Sequence, residues 1–188
     1  RHFLAYLPYY AIILNIDLDH VDYYKDINDI INAYEEFANK STKMIIACGD
    51  DPYVNKMHLT KPIIYFGLND NNNIRATNIN YTEEGTTFDV TIDNNLYGHF
   101  DIPIYAHHQL LDALAVITLC ICENIAAQTV EKYFKTFTNA KRRFTQTIAS
   151  DSIIIDDYAH HPNEVKATLD AVKQKYPNKK IVAIFQPH

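Results

Sequence analysis

Residues 15–22, Asn-Ile-Asp-Leu-Asp-His-Val-Asp, gather three carboxylates, an amide and an imidazole directly behind the apolar run Tyr10, Ala11, Ile12, Ile13 and Leu14. A short β-branched run ending in such a cluster reads as a buried strand that delivers polar side chains at its carboxyl end, the edge where open α/β sheets bind ligands. Asp and His donors at this density suit a divalent cation shared with phosphate; the alternative is a solvated loop that caps the next helix. The arrangement recurs later in the chain. Ile153, Ile154 and Ile155 lead into Asp156-Asp157-Tyr158-Ala159-His160-His161-Pro162, again a strand ending in polar groups, with plain helix capping as the alternative. Between the two lies Lys141-Arg142-Arg143, the only dense basic cluster, sized for one anionic group.

Positioning these residues requires an α/β framework. Asp26 suits a helix N-cap with Asp29 in the first turn, and Ile27, Ile30, Ile31, Tyr34 and Phe37 recur on one helical face. Residues 44–48 and 63–66 read as further strands, separated by Gly49-Asp50-Asp51-Pro52, where Pro52 is placed to open a short helix. The order predicts βαβαβ, the doubly wound pattern. Residues 74–81, 86–93 and 96–104 alternate polar and apolar side chains, with breaks at Glu84-Gly85 and Asp93-Asn94-Asn95, which predicts an antiparallel meander added to the parallel sheet. Next comes Tyr105-Ala106-His107-His108-Gln109, with His107 expected in an exposed loop, leading into a helix over 110–123. A second helix places Val130, Tyr133, Phe134 and Phe137 on one face. After a strand or hairpin over 145–155, Pro162 opens a helix whose stripe is Val165, Leu169, Val172 and Tyr176, and residues 181–185 read as the next strand. The expected fold class is α/β: a mostly parallel, doubly wound sheet with an added antiparallel meander, followed by the start of a second α/β domain near residue 143.

Composition narrows the function classes. Among 188 residues, 47% are hydrophobic and 21% charged, values of an ordinary globular chain. The formal charge of −6 offers no basic stripe for nucleic acid. Cys48, Cys120 and Cys122 cannot all pair and lack the CxxC spacing of a zinc site, so they read as small apolar residues in a reducing cytosol. No run of about 18 apolar residues is present, so no membrane partner is expected. The chain starts at Arg1 and stops just after a strand-like run, so both ends read as cuts through a longer protein.

Taken in order, Asn15-x-Asp17-x-Asp19-His20-x-Asp22, Lys141-Arg142-Arg143-Phe144, Asp156-Asp157-Tyr158-Ala159-His160-His161-Pro162 and the closing Phe185-Gln186-Pro187-His188 resemble the UDP-N-acetylmuramate:L-alanine ligases of the Mur ligase family. The resemblance spans essentially the whole chain. It implies a three-domain enzyme in which residues 1–142 form the later part of the central ATP-binding domain and 143–188 the start of the Rossmann-like C-terminal domain. The phosphate-binding loop and an acidic metal ligand would precede Arg1, and arginines for the alanine carboxylate would follow His188, so these residues alone are expected to be inactive.

The implied function is that of an ATP-dependent carbon–nitrogen ligase. It would add L-alanine to UDP-N-acetylmuramate through an acyl phosphate in cytoplasmic peptidoglycan synthesis, with ATP and Mg²⁺ as cofactors, and so serve cell wall biogenesis, cell shape and cell division. Two alternatives stand beside it: the peptide-recycling Mur ligase, which acts on the same sugar nucleotide and typically carries Phe where Tyr158 stands, and a non-catalytic nucleotide-binding relative. By the same resemblance His20 is a magnesium ligand, and His20, Arg143 and His160 are the catalytic candidates. Asn15, His108, Asp112, Arg142 and Asp157 are assigned to the nucleotide side, and Tyr158 and His160 line the amino-acid pocket. Arg142 and Arg143 read both as phosphate ligands and as a salt-bridged hinge. The chain departs from the usual Gly-x-His-Asn-x-x-Asn, reading Ala106-His107-His108-Gln109-Leu110-Leu111-Asp112. A carboxylate at 112 cannot donate to adenine as an amide does unless it is protonated.

Overall fold

The computed structural model describes residues 2–137 and 140–186. Arg1 and the Pro187-His188 end of the closing motif lie outside the described residues. Six strands form one mixed sheet whose spatial order follows the chain: β1 (Tyr10–Ile13), β2 (Met44–Cys48), β3 (Ile63–Gly67), β4 (Ile74–Tyr81), β5 (Thr86–Ile92) and β6 (Asn95–Ile102). The first four are mutually parallel, and β4, β5 and β6 pair antiparallel as the meander. The strand alternation of β2 divides the core in two. Ile45 and Ala47 face α1 (Ile27–Asn39), and Ile46 and Cys48 face the opposite side, where α2 (Ala106–Cys122) packs. Helices therefore cover both faces, as the sequence pattern requires.

Local chemistry fixes the elements. The Asp26 carboxylate accepts from the Asn28 and Asp29 amides at 2.8 and 3.0 Å, capping α1. Leu110, Ala113, Leu114 and Ile117 recur on the core face of α2. In the meander, Phe88 and Phe100 stack with ring centroids 5.5 Å apart. Asp93 and Asn94 both take positive φ in the two-residue β5–β6 loop, the geometry that suits the sheet's right-handed twist. Gly49 is required by space: a Cβ there would lie 2.1 Å from the Asn72 Oδ1.

A second unit follows. Strands β7 (Thr145–Ala149) and β8 (Ser152–Asp156) form a hairpin, and α4 (Pro162–Lys175) follows it; the short α3 (Ala127–Phe134) ends the first unit. The hairpin's β7 is exposed along its whole length.

Five expectations are corrected. The β2–β3 connection holds only a 3₁₀ turn at Val54–Lys56, because the Asp51 carboxylate ties down the Tyr53 and Val54 amides immediately after Pro52. His107 lies in the first turn of α2, which begins at Ala106, not in a loop. Of the four residues placed on one face of the second helix, Val130 is buried and Phe134 packs against the core, but Tyr133 is exposed and Phe137 lies past the helix end, also exposed. In α4 the stripe Val165, Leu169, Val172 and Tyr176 is half-buried along a groove beside β8, and the fully buried residue is Ala171, facing the first unit. Residues 181–185 form no strand: Val182 and Ile184 are exposed, and an apolar run becomes a strand only with a hydrogen-bonded neighbour. Among the described residues no helix is long and apolar enough to cross a membrane.

Candidate functional site

The parallel strands β1 to β4 present their carboxyl ends at one edge of the sheet, and β6, antiparallel to β5, ends at the same edge. The loop after β1, the Gly49-Asp50-Asp51 turn and the N-terminus of α2 therefore converge there. The Asp51 carboxylate accepts from the Ile16 amide at 3.2 Å and ties the first two together.

Within the loop, His20 takes φ 51°, a left-handed conformation uncommon outside glycine but entered by His more readily than by most other residues. Its carbonyl accepts from the Tyr23 and Tyr24 amides at 2.8 and 2.9 Å, and the Asp19 carboxylate accepts from the His20 amide. The turn thus projects the His20 side chain, 74% accessible, into solvent, with Nε2 3.8 Å from Asp19 Oδ2. Asn15 is exposed at the start of the loop. Among the described residues no three His, Cys, Asp or Glu side chains converge to hold a metal ion. One imidazole with a carboxylate beside it does fit the one or two protein ligands that Mg²⁺ takes when water and phosphate oxygens complete its shell.

Helix α4 lies across this edge. At its N-terminus Asp17 reaches over: its carboxylate accepts from the Asn163 side-chain amide, and its Oδ2 is 3.7 Å from His161 Nδ1. His161 is the N-cap, with Nδ1 accepting from the Asn163 amide, and Glu164 Oε2 accepts from the His160 and His161 amides at 3.1 and 3.2 Å. Burial pushes the Glu164 carboxyl up, but these two amides and the His160 and Arg143 charges outweigh it and hold the group below its ordinary value. His160 Nδ1 sits 3.2 Å from the Tyr158 carbonyl and 3.4 Å from Glu164, both acceptors, so that nitrogen carries the proton.

The basic cluster lies beside this loop. The Asp157 carboxylate accepts from the Phe144 amide through one oxygen and from the Ala159 amide through the other, both at 2.8 Å, and the Tyr158 amide donates to the Arg142 carbonyl at 2.9 Å. Arg142 and Phe144 both take positive φ at this junction. The Arg142 guanidinium lies over the Tyr158 ring at 5.2 Å and within 3.6 Å of Asp156, Arg143 is 6.0 Å from the same ring, and the His160 ring meets Tyr158 edge-on. Arg143 is exposed.

From the other side, α2 brings His108 and Asp112, one turn apart. His108 Nδ1 is buried without a hydrogen-bond partner; burial lowers its pKa, while Asp157 and Asp170 oppose the shift and His107 adds to it. Asp112 is reached by solvent but walled in by protein, which pushes its carboxyl up against the pull of Arg143. A crevice of about 710 Å³ separates α4 from the sheet edge, lined by Tyr81, Glu83, His107, His108, Lys166 and Lys173 among others. The structure thus brings His108, Asp112, Arg142, Arg143, Asp157, Tyr158 and His160 to one interdomain region. Among the described residues it is Asp17, not His20, that joins the acidic loop to α4. The contacts of Asn163 and Gln174 carried no sequence signal: each is a single amide in an ordinary helical stretch.

Two family matches cover most of the chain: the Mur ligase middle domain over residues 2–120, and the Mur ligase, glutamate ligase domain over residues 142–188. Among solved structures, UDP-N-acetylmuramate-alanine ligase MurC from Thermotoga maritima is 26% identical with a TM-score of 0.83, covering 98% of this chain and 43% of its own. MurF from Acinetobacter baumannii is 18% identical with a TM-score of 0.79, covering 92% and 39%. The UDP-N-acetylmuramate:L-alanyl-γ-D-glutamyl-meso-diaminopimelate ligase from Neisseria meningitides is 23% identical with a TM-score of 0.64, covering 74% and 43%. The chain spans about two fifths of the length of these solved relatives.

Proposed function

The chain belongs to the Mur ligase family, and from that premise we propose that it serves an ATP-dependent ligase adding L-alanine to UDP-N-acetylmuramate in peptidoglycan synthesis. The observation that carries the reading is the meeting of the acidic loop and the His-His-Pro loop over one sheet edge, through Asp17, His161 and Asn163. Similarity to a UDP-N-acetylmuramate-alanine ligase over 98% of the chain supports alanine as the amino acid.

In this reading the muramoyl carboxylate attacks the γ-phosphorus of ATP and ADP leaves. The amine of alanine then attacks the acyl carbon, phosphate leaves and the amine gives up a proton. Such a reaction depends on positioning and on neutralising phosphate charge. A bound Mg²⁺ would supply part of that neutralisation, with His20 as a ligand. Arg143, exposed beside the loop, supplies a guanidinium for phosphate. Asp157 accepts two amides at the junction and its charge is felt at His108, which supports placing it on the nucleotide side with His108 and Asp112. Tyr158 and His160, held edge to face, form one wall for the amino acid.

The test is an assay of the full-length gene product with ATP and Mg²⁺. UDP-N-acetylmuramate is offered with L-alanine or with L-alanyl-γ-D-glutamyl-meso-diaminopimelate, and products are read by mass spectrometry. The alanyl product with stoichiometric ADP is expected. Preferential use of the tripeptide would move the assignment to the recycling reaction, and absence of ADP formation with either acceptor would sink the ligase reading.

A further inference from the structure

Helix α4 is fastened at both ends. The Asp17 contact holds its N-terminus, and near its C-terminus the Gln174 side chain enters the first unit. There the Gln174 Oε1 accepts from the Ala106 amide, and its Nε2 donates to the Thr82 and Gly85 carbonyls at 3.1 and 3.2 Å, with Thr86 Oγ1 at 3.4 Å. Thr86 in turn donates to the Ile104 carbonyl at 2.8 Å, so one side chain links the β4–β5 turn to the segment that starts α2. Between the two fasteners, Ala171 is fully buried against Tyr105, Ala106 and Phe144, and just past Gln174 the Lys175 Nζ sits 4.2 Å from the Tyr105 ring centroid.

The partner groups are unusual. Ala106 has φ 61°, a left-handed conformation that is unfavourable for a non-glycine residue and persists only where neighbours enforce it. It is also the first residue of α2, whose amide has no partner within the helix, and its N-cap Tyr105 offers no side-chain cap. Gly85 has φ 156°, and a Cβ there would meet the Ile102 carbonyl oxygen at 2.4 Å. Gln174 thus satisfies an orphan helix amide and donates to two carbonyls of a constrained turn, of which Gly85's also accepts from the Thr82 amide at 2.8 Å, all belonging to the other unit. His108 lies two residues beyond Ala106.

We propose that Gln174 is a positioning residue, an interdomain latch that holds α4 over the crevice and fixes the strained start of α2 from which His108 projects. Its consequence for nucleotide rests on the ligase reading; the latch itself does not.

The experiment compares Gln174→Leu and Gln174→Glu in the full-length protein by residue-resolved amide hydrogen exchange and by ATP kinetics. Leu removes acceptor and donors. Exchange at Ala106 is expected to become about tenfold faster, the ratio for loss of about one net hydrogen bond, while β2 amides keep their rates. Glu keeps the acceptor and loses the donors, so Ala106 should stay slow while the turn at 82–86 speeds up. Unchanged Ala106 exchange in the Leu variant, or equal acceleration in β2, would overturn the latch. Where exchange shows the latch broken in the Leu variant, KM for ATP should rise more than kcat falls; an unchanged KM despite faster exchange would leave the latch standing and remove the nucleotide from this crevice.

Discussion

His108 is a base in a place where charge is disfavoured. Burial lowers its pKa, Asp157 and Asp170 recover part of the shift, and His107 works against protonation. The folded state therefore binds fewer protons at this site than the unfolded chain, whose imidazole titrates near about 6.5. The sign follows from linkage: the contribution of His108 is fully present above that value and is lost as pH falls through it toward the folded pKa. Urea midpoints measured from pH 8 to pH 5 should fall more steeply for the wild type than for His108→Gln, which cannot titrate. Parallel profiles would mean that the buried Nδ1 has a solvent partner and that the site is not desolvated. Asp112, one turn along, carries the opposite shift: its carboxyl is pushed up by its surroundings and pulled down by Arg143. Burial thus biases both His108 and Asp112, on one helical face, toward their uncharged forms.

At the scale of elements, the N-terminus of α4 is where capping overlaps with the amino-acid pocket proposed above. Glu164 is the acceptor for two amides, His160 and His161, and so fixes the turn that presents His160 beside Tyr158. Glu164→Ala should destabilise this helix start by about 1 kcal/mol, the usual worth of a cap, and Glu164→Gln by less because an amide oxygen still accepts. Thermal melts of the two variants provide the check, and equal Tm values for Ala and wild type would show that water replaces the carboxylate at no cost. Elements of this kind were legible beforehand because their signals are local. Asp26 before an apolar stripe, the alternation through 74–104 and Pro162 behind a polar loop each specify their structure within a few residues. The second crossover was not legible, since side-chain bonds from Asp51 decide between a helix and a 3₁₀ turn there. Nor was the fate of residues 181–185, because an apolar β-branched run carries no information about whether a neighbouring strand is present. The candidate residues were legible as types at strand ends, whereas the contacts that assemble them, Asp17 to Asn163 and Gln174 to Ala106, join positions 146 and 68 residues apart. No local pattern encodes such pairs.

At the scale of the molecule, the two units are unequal. Among the described residues, the first has two buried clusters sandwiching a six-stranded sheet, whereas the second has a two-stranded hairpin, one helix and a small cluster shared with its neighbour. A hairpin alone is marginal in water, so docking on the first unit contributes to the order of β7, β8 and α4. The docking rests on Phe144, which is buried at the junction, stacks on Tyr105 with centroids 5.9 Å apart and packs with Ala171. Phe144→Ala should therefore cost about 3 kcal/mol of docking free energy while leaving the first unit's sheet intact. Limited trypsin digestion reads this directly, because cleavage within a helix requires its local opening. Cleavage after Lys166 and Lys173 in α4 should accelerate by about a hundredfold in the variant, the ratio expected for a loss of that size, while cleavage after Lys40 and Lys43, at the junction of α1 and β2, keeps its wild-type rate. If both regions become sensitive together, the chain unfolds as one cooperative body and α4 is part of the core. If neither does, the hairpin and helix hold their structure without the Tyr105–Phe144 stack, and the docking contact contributes geometry rather than stability.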